Sequence, residues 1–151
     1  MREVVTVQVG GTGNRIGTKF YENLCLEHGL LPNSQYAGES LLQLMKLDSF
    51  FDEGKDGYYT ARNLMCDMDI GSIDHILSQN NSKIYGIDNM IYERRTGATG
   101  IFAKAYYNND NLVQVFQDRY RRMVEKCENL NTVKFVHSLT GGVGSGLTSR
   151  F

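Results

Sequence analysis

Ser138-Leu139-Thr140-Gly141-Gly142-Val143-Gly144-Ser145-Gly146 is the stretch on which the fold turns. It follows Val133-Lys134-Phe135-Val136-His137, an alternating apolar run that reads as a strand. Four glycines in six residues free the backbone to bend tightly and to approach a ligand closely. Ser145-Gly146-Leu147-Thr148 then opens a helix. A strand, a glycine turn and a helix N-terminus make a phosphate cradle, because backbone N–H groups and the positive end of the helix dipole face one anion. The spacing is close to a P-loop, with Gly141 and Gly146 separated by four residues and Thr148 following. Leu147 stands where the lysine of that motif belongs. A nucleotide here is therefore expected to be held by backbone amides, hydroxyls and a metal.

A glycine-rich turn alone is weak, but the chain begins with a second one. Val4-Val5-Thr6-Val7-Gln8-Val9 reads as a buried strand. Gly10-Gly11-Thr12-Gly13-Asn14-Arg15-Ile16-Gly17 follows. Ile16, Phe20 and Leu24 then recur at four-residue spacing, with Tyr21 and Cys25 beside them, which predicts a helix closed by Gly29 and Pro32. From Leu31 to about Tyr59 the chain is broken by glycines and rich in acid, and reads as a long, partly mobile surface loop. Asn63 to Asp69 predicts a strand ending in two carboxylates, Ser72 to Leu77 a short helix, and Asn89 to Tyr92 another strand. Arg94-Arg95-Thr96-Gly97-Ala98-Thr99-Gly100 makes a third small-residue turn. Asp110 or Asn111 is expected to cap a helix whose stripe is Val113, Phe116, Tyr120, Met123, Val124 and Cys127, read as core. Arg121 and Arg122 fall off that stripe, on a solvated face.

The order strand–helix–strand–helix–strand–helix–strand predicts an α/β, Rossmann-like doubly wound parallel sheet, which binds ligands beyond the strand ends. At 151 residues the chain fits one domain. A net charge of −1 gives no electrostatic case for nucleic acid or for an anionic membrane surface, so neither is expected as a partner. No apolar run is long enough to span a bilayer, and the N-terminus carries no signal-peptide apolar region. Three widely spaced cysteines, Cys25, Cys66 and Cys127, point to reduced thiols in the cytosol. Cys25 and His28 have half a metal-site spacing without a second half, and read as packing. No internal repeat is detectable.

A dinucleotide-binding fold is one competitor. Its third fingerprint glycine falls on Ile16, and its ribose acid is due far earlier than Asp67 and Asp69. An NAD(P)-dependent oxidoreductase is thus the weaker fit.

Taken in order, Met1-Arg2-Glu3, Gly10 to Gly17, Glu27-His28-Gly29, Leu42-Gln43-Leu44, Asp67-x-Asp69-x-Gly71, Thr96-Gly97-Ala98, Ala103-Lys104 and Val136-His137-Ser138-Leu139 resemble the tubulin family. Gly141-Gly142-x-Gly144-Ser145-Gly146 looks like its signature glycine loop. The resemblance covers the whole chain and needs no gap against β-type spacing, whereas an α-type chain is longer before Asp67.

The resemblance implies the amino-terminal, incomplete part of a GTP-binding domain: a microtubule subunit of the cytoplasmic cytoskeleton that pairs with an α-tubulin-like subunit and with neighbours in the polymer. It implies GTP or GDP bound with Mg²⁺, and hydrolysis coupled to polymerisation in the longer family chain. Gly10, Gly11, Thr12 and Arg15 fall on the family's first nucleotide loop. Ala98, Thr99 and Gly100 fall on the loop near the γ-phosphate. Ser138, Gly141, Gly142, Val143, Gly144 and Ser145 fall on the loop around the diphosphate, and Asp69 stands at the Mg²⁺ site, acting through water. No catalytic residue is expected here, because the family's hydrolytic loop and base-reading segments correspond to positions beyond Phe151. The chain stops one turn into a helix, and so reads as a fragment or a truncated product, expected to leave a sheet edge uncovered.

Several positions depart from the family. Gly11 replaces an amide side chain that reaches the phosphate and metal region. Arg15 either puts a cation near the base or pairs with a phosphate. Thr99, Gly100 and Ile101 replace the family's glycine and two asparagines. Val143 replaces a threonine, and Thr140 the first glycine of its run. Such losses leave open a divergent, non-polymerising nucleotide-binding or regulatory protein on the same fold.

Overall fold

The computed structural model describes residues 2–54, 56–93, 97–107 and 109–151. Residues 94–96 of the third turn lie outside this set. The elements run β1 (Glu3–Val9), α1 (Gly10–His28), α2 (Leu41–Leu44), β2 (Phe51–Glu53), β3 (Tyr59–Ala61), β4 (Asn63–Asp67), α3 (Ile70–Leu77), β5 (Met90–Tyr92), α4 (Phe102–Tyr107), α5 (Asp110–Glu125), β6 (Leu130–His137) and α6 (Val143–Thr148).

Four strands form one parallel sheet in the order β5-β4-β1-β6. In chain order they stand third, second, first and fourth, so the winding direction reverses between β1 and β6. That reversal is the switch point of a doubly wound fold, where a crevice opens beyond the strand ends. One face of the sheet is covered by α4, α5 and α6. There Val5, Val7, Val9, Leu64, Cys66 and Ile91 pack against Ala105, Leu112, Phe116 and Leu147. The other face is covered by α1 and α3, through Tyr21, Leu24, Cys25, Ile73 and Ile76. β6 is an edge strand with none of its eight residues fully buried.

The buried face of α1 matches the expected stripe at Tyr21, Leu24 and Cys25 and differs from it nearer the helix start. Ile16 is exposed, and the face is made of Gly13, Asn14, Gly17, Thr18, Tyr21, Leu24 and Cys25. The cause is close approach. A Cβ on Gly13 would stand 2.2 Å from the Val136 carbonyl oxygen, and one on Gly17 would stand 2.2 Å from the Gln8 side chain. Gly29 ends the helix in the left-handed region, as its position predicts.

The stretch from Leu31 to Tyr59 is more ordered than a surface loop. It holds α2 and the antiparallel β2–β3 hairpin, with Leu47, Phe51 and Tyr59 buried. Cys25 is buried, and His28 donates from Nδ1 to the Gln43 carbonyl at 2.7 Å, which ties α1 to α2. Asn109, rather than Asp110 or Asn111, is the N-cap of α5. Its side chain does not cap. The amide turns back to donate to the Lys104 and Ala105 carbonyls. Arg121 and Arg122 lie exposed, both paired with Asp118.

Arg62 fastens the hairpin to the sheet. It is 7% exposed, and its Nη1 lies 3.0 Å from Glu3 Oε1 and 2.8 Å from Asp52 Oδ1, while Nε donates to the Asp48 carbonyl. Glu3 Oε2 also accepts the Asn129 N–H at 2.7 Å, so one buried cluster joins β1, the hairpin and the start of β6. Burial pushes the Asp52 carboxyl above its ordinary range, against the pull of Arg62. Removing the cation strands the buried Glu3 and leaves the half-buried Asp52 without its partner. Arg62→Met is expected to cost about 3–5 kcal/mol at neutral pH in urea unfolding. A stranded carboxylate has a raised folded-state pKa, so the loss should shrink as pH falls below that value and Asp52 takes up a proton. A loss independent of pH would refute this role.

Candidate functional site

β1 and β6 lie side by side with Val9 opposite His137, so the residues after each strand emerge together. Gly10, at φ +75°, turns the chain from β1 directly into α1. A Cβ there would stand 3.0 Å from Gly144 N. Gly144 in turn packs on Ser138, where a Cβ would stand 2.9 Å from the backbone nitrogen. Gly141, at φ +84°, supplies the remaining bend. Both glycine turns are thus pressed to backbone distance at the switch point.

The third loop joins them. A Cβ on Gly142 would stand 2.6 Å from the Ala98 Cβ, and one on Gly97 would lie 3.9 Å from the Asp69 Cβ. Thr99 sits in the left-handed region at φ +51°, and its hydroxyl donates to the Ala98 carbonyl at 2.7 Å. That hydroxyl is therefore already engaged.

A cleft of about 300 Å³ opens where the turns meet, lined by Gly10, Gly11, Thr12, Arg15, Ser138, Gly141, Gly142, Val143 and Gly144 of the expected set, together with Val9 and Thr140. Ala98, Thr99, Gly100, Ser145 and Asp69 are not in its lining. Ala98 is buried behind Gly142, and the Ser145 hydroxyl donates to the Gly141 carbonyl at 2.6 Å, bracing the loop from behind. Thr140 escaped the sequence-derived site because it reads as a replaced glycine. Its N–H donates to Ser138 Oγ, a hydroxyl turn that folds its residue into the wall.

The electrostatics favour an anion. α1 has no side-chain cap and no acidic residue in its first turn. Its leading N–H groups thus lack intrahelical partners, at the positive end of a helix of 19 residues. Arg15 is the charged residue of the lining, and it forms no ion pair among the described residues.

The two carboxylates after β4 differ. Asp67 is 3% exposed and accepts from the Ser72 hydroxyl and the Asp69 N–H, and burial pushes its carboxyl up. Asp69 is exposed and caps α3, its Oδ1 accepting the Gly71 N–H at 3.1 Å. Among the described residues no group of three or more His, Cys, Asp or Glu is placed to hold a metal. A single open carboxylate beside the third loop fits a Mg²⁺ that takes most of its ligands from phosphate and water.

A second cleft, of about 420 Å³, lies between the β2–β3 hairpin and α5, lined by Asp52, Asp88, Arg119, Arg122 and Lys126 among others. Its charges are largely matched: Arg119 pairs with Asp88 at 3.4 Å, and Arg122 with Asp118 at 2.8 Å. No helix described is long and apolar enough to cross a membrane.

The glycine contacts separate what the fold needs from what it leaves free. Gly13→Ala should destabilise by about 1–3 kcal/mol, since the Val136 carbonyl cannot move without breaking the β1–β6 ladder. Gly11→Ala has open space and should be neutral or stabilising by up to about 1 kcal/mol. Chemical denaturation of both variants checks the contrast, and equal costs would refute it.

A family model described as Tubulin/FtsZ family, GTPase domain, matches residues 3–150. A tubulin beta chain of Candida albicans is 37% identical over 148 residues, which is 97% of this chain and 33% of that protein. A tubulin beta-3 chain of Echinococcus multilocularis has the same identity and coverage. The chain spans about a third of the length of these relatives.

Proposed function

We infer that this chain, which belongs to the tubulin/FtsZ family, holds the phosphates of a guanine nucleotide in the cleft between its two glycine turns. The observation that carries the reading is the contact of Gly10 with Gly144, which sets an uncapped helix N-terminus against a second glycine loop at the sheet's switch point. The family supports GTP and GDP as the ligands.

The residues divide the work. Backbone amides of Gly10, Gly11 and Thr12 face one side of the phosphates, and those from Gly141 to Ser145 the other, with the Ser138 hydroxyl at the rim. Ala98 supports Gly142, and Thr99 and Gly100 complete the third loop near the terminal phosphate. Asp69 would hold a Mg²⁺ through water, and the metal would supply charge neutralisation. In the longer protein this site would serve hydrolysis coupled to polymerisation. The partner would be an α-tubulin-like subunit, within microtubules of the cytoplasmic cytoskeleton, as the beta-tubulin relatives suggest.

One observation favours a nucleotide-binding protein without turnover. The third loop presents an exposed Ile101 and a Thr99 hydroxyl already bonded to its own neighbour, so it offers little to sense a γ-phosphate. The oxidoreductase reading has no support in the matched family.

Calorimetric titration of the chain with GTP, GDP, pyrophosphate and guanosine tests the proposal. GTP, GDP and pyrophosphate should compete for one site, and guanosine should bind at least about tenfold more weakly than GDP. Guanosine binding as well as GDP, or no binding by any phosphate compound, would contradict it.

A further inference from the structure

Gly11 and Arg15 stand one turn apart on α1, and therefore on one face. A helical side chain leans back over the turn that precedes its own Cα. An arginine at position 15 can therefore reach back over Gly11 toward the start of the helix. Both residues line the cleft, and a Cβ on Gly11 would meet nothing within 4 Å. The space that a side chain at position 11 would fill is thus open to the guanidinium.

The rest of the lining is backbone, apolar side chains and the hydroxyls of Thr12, Ser138 and Thr140. Asp69 lies outside it and already accepts the Gly71 N–H. The cleft therefore carries its own fixed positive charge, while the carboxylate that would recruit a metal stands back from it. A solvated arginine on a helix surface is the commonest fate of such a residue, but this one has no carboxylate partner among the described residues and borders a cavity lined by the uncapped first turn of α1.

We propose that Arg15, in the space left by Gly11, is the principal counter-charge to the phosphates, so that this chain binds a nucleoside diphosphate without requiring Mg²⁺. The inference rests on the nucleotide-site reading above. A guanidinium offers paired N–H donors that match two phosphate oxygens, which an ammonium does not. Gly11 contributes its N–H and its missing side chain, and the α1 dipole adds to the same field.

The test is calorimetry of the full chain with GDP and with pyrophosphate, each in excess Mg²⁺ and in excess EDTA. The wild-type dissociation constant for GDP should change by less than about threefold when the metal is removed. Arg15→Gln should lose about tenfold or more in EDTA for both ligands, and Arg15→Lys should recover part of that loss. Gly11→Leu, which fills the space without adding a donor, should weaken binding in EDTA without lowering stability. Arg15 is exposed, so its variants should unfold with the wild-type midpoint. Wild-type binding that needs Mg²⁺, or an Arg15→Gln variant that binds like wild type in EDTA, overturns this inference and leaves the nucleotide site standing. A loss seen with GDP but not with pyrophosphate places Arg15 at the base, and also overturns it. Absence of binding in both conditions overturns the nucleotide reading and this inference together.

Discussion

The packing of α1 on β6 at backbone distance is what the rest of the molecule depends on. Gly13 lies where any Cβ would strike the Val136 carbonyl, so the helix axis comes nearer the sheet than an ordinary side-chain layer allows. That approach brings the first turn of α1 level with the loop after β6. The same logic repeats between Gly10 and Gly144, between Gly142 and Ala98, and between Gly146 and Ala105. These contacts exclude side chains where the loops must touch, and leave the space at Gly11 and Gly141 free. Glycine here serves closeness more than flexibility, and closeness is what assembles a wall of amides.

Those contacts explain how much of the fold was legible in the sequence. β1, β6 and α5 announce themselves by apolar periodicity, and the strand–helix alternation is enough to predict a doubly wound parallel sheet. The buried face of α1 was legible only in its second half, at Tyr21, Leu24 and Cys25. A hydrophobic stripe drawn through Ile16 assumes that apolar residues mark the inside throughout, whereas in the first two turns the inside is marked by Gly13, Asn14, Gly17 and Thr18, small or polar residues. The β2–β3 hairpin was hidden for a different reason. Its strands have three residues each, too short for a period of two to register, and the buried Arg62 cluster that pins it joins residues far apart in sequence. The cap of α5 fell on Asn109 for a local reason: its amide satisfies two carbonyls of the preceding helix instead of the new helix start.

The candidate site was more legible than its surroundings. Both glycine turns stand in the sequence at strand ends, and nine of the fourteen expected site residues line one cleft. The five that do not share a physical explanation. Ala98 and Ser145 act behind the wall, Thr99 and Gly100 belong to the neighbouring third loop, and Asp69 caps a helix one strand away. Spacing along the chain identifies which loops converge. It does not tell a residue that faces the cavity from one that props up the loop, because that difference lies in the backbone angles of Gly10, Thr99 and Gly141.

The central claim is that phosphate binds where the two glycine turns meet, and not in the larger charged cleft beside α5. Amide chemical shifts of the 15N-labelled chain, followed during titration with GDP, test this most directly. The account predicts that the largest shifts fall on Gly10, Gly11, Thr12, Gly141, Gly142, Val143 and Gly144. Largest shifts around Asp52, Arg119 and Lys126, with the glycine turns unmoved, would contradict it.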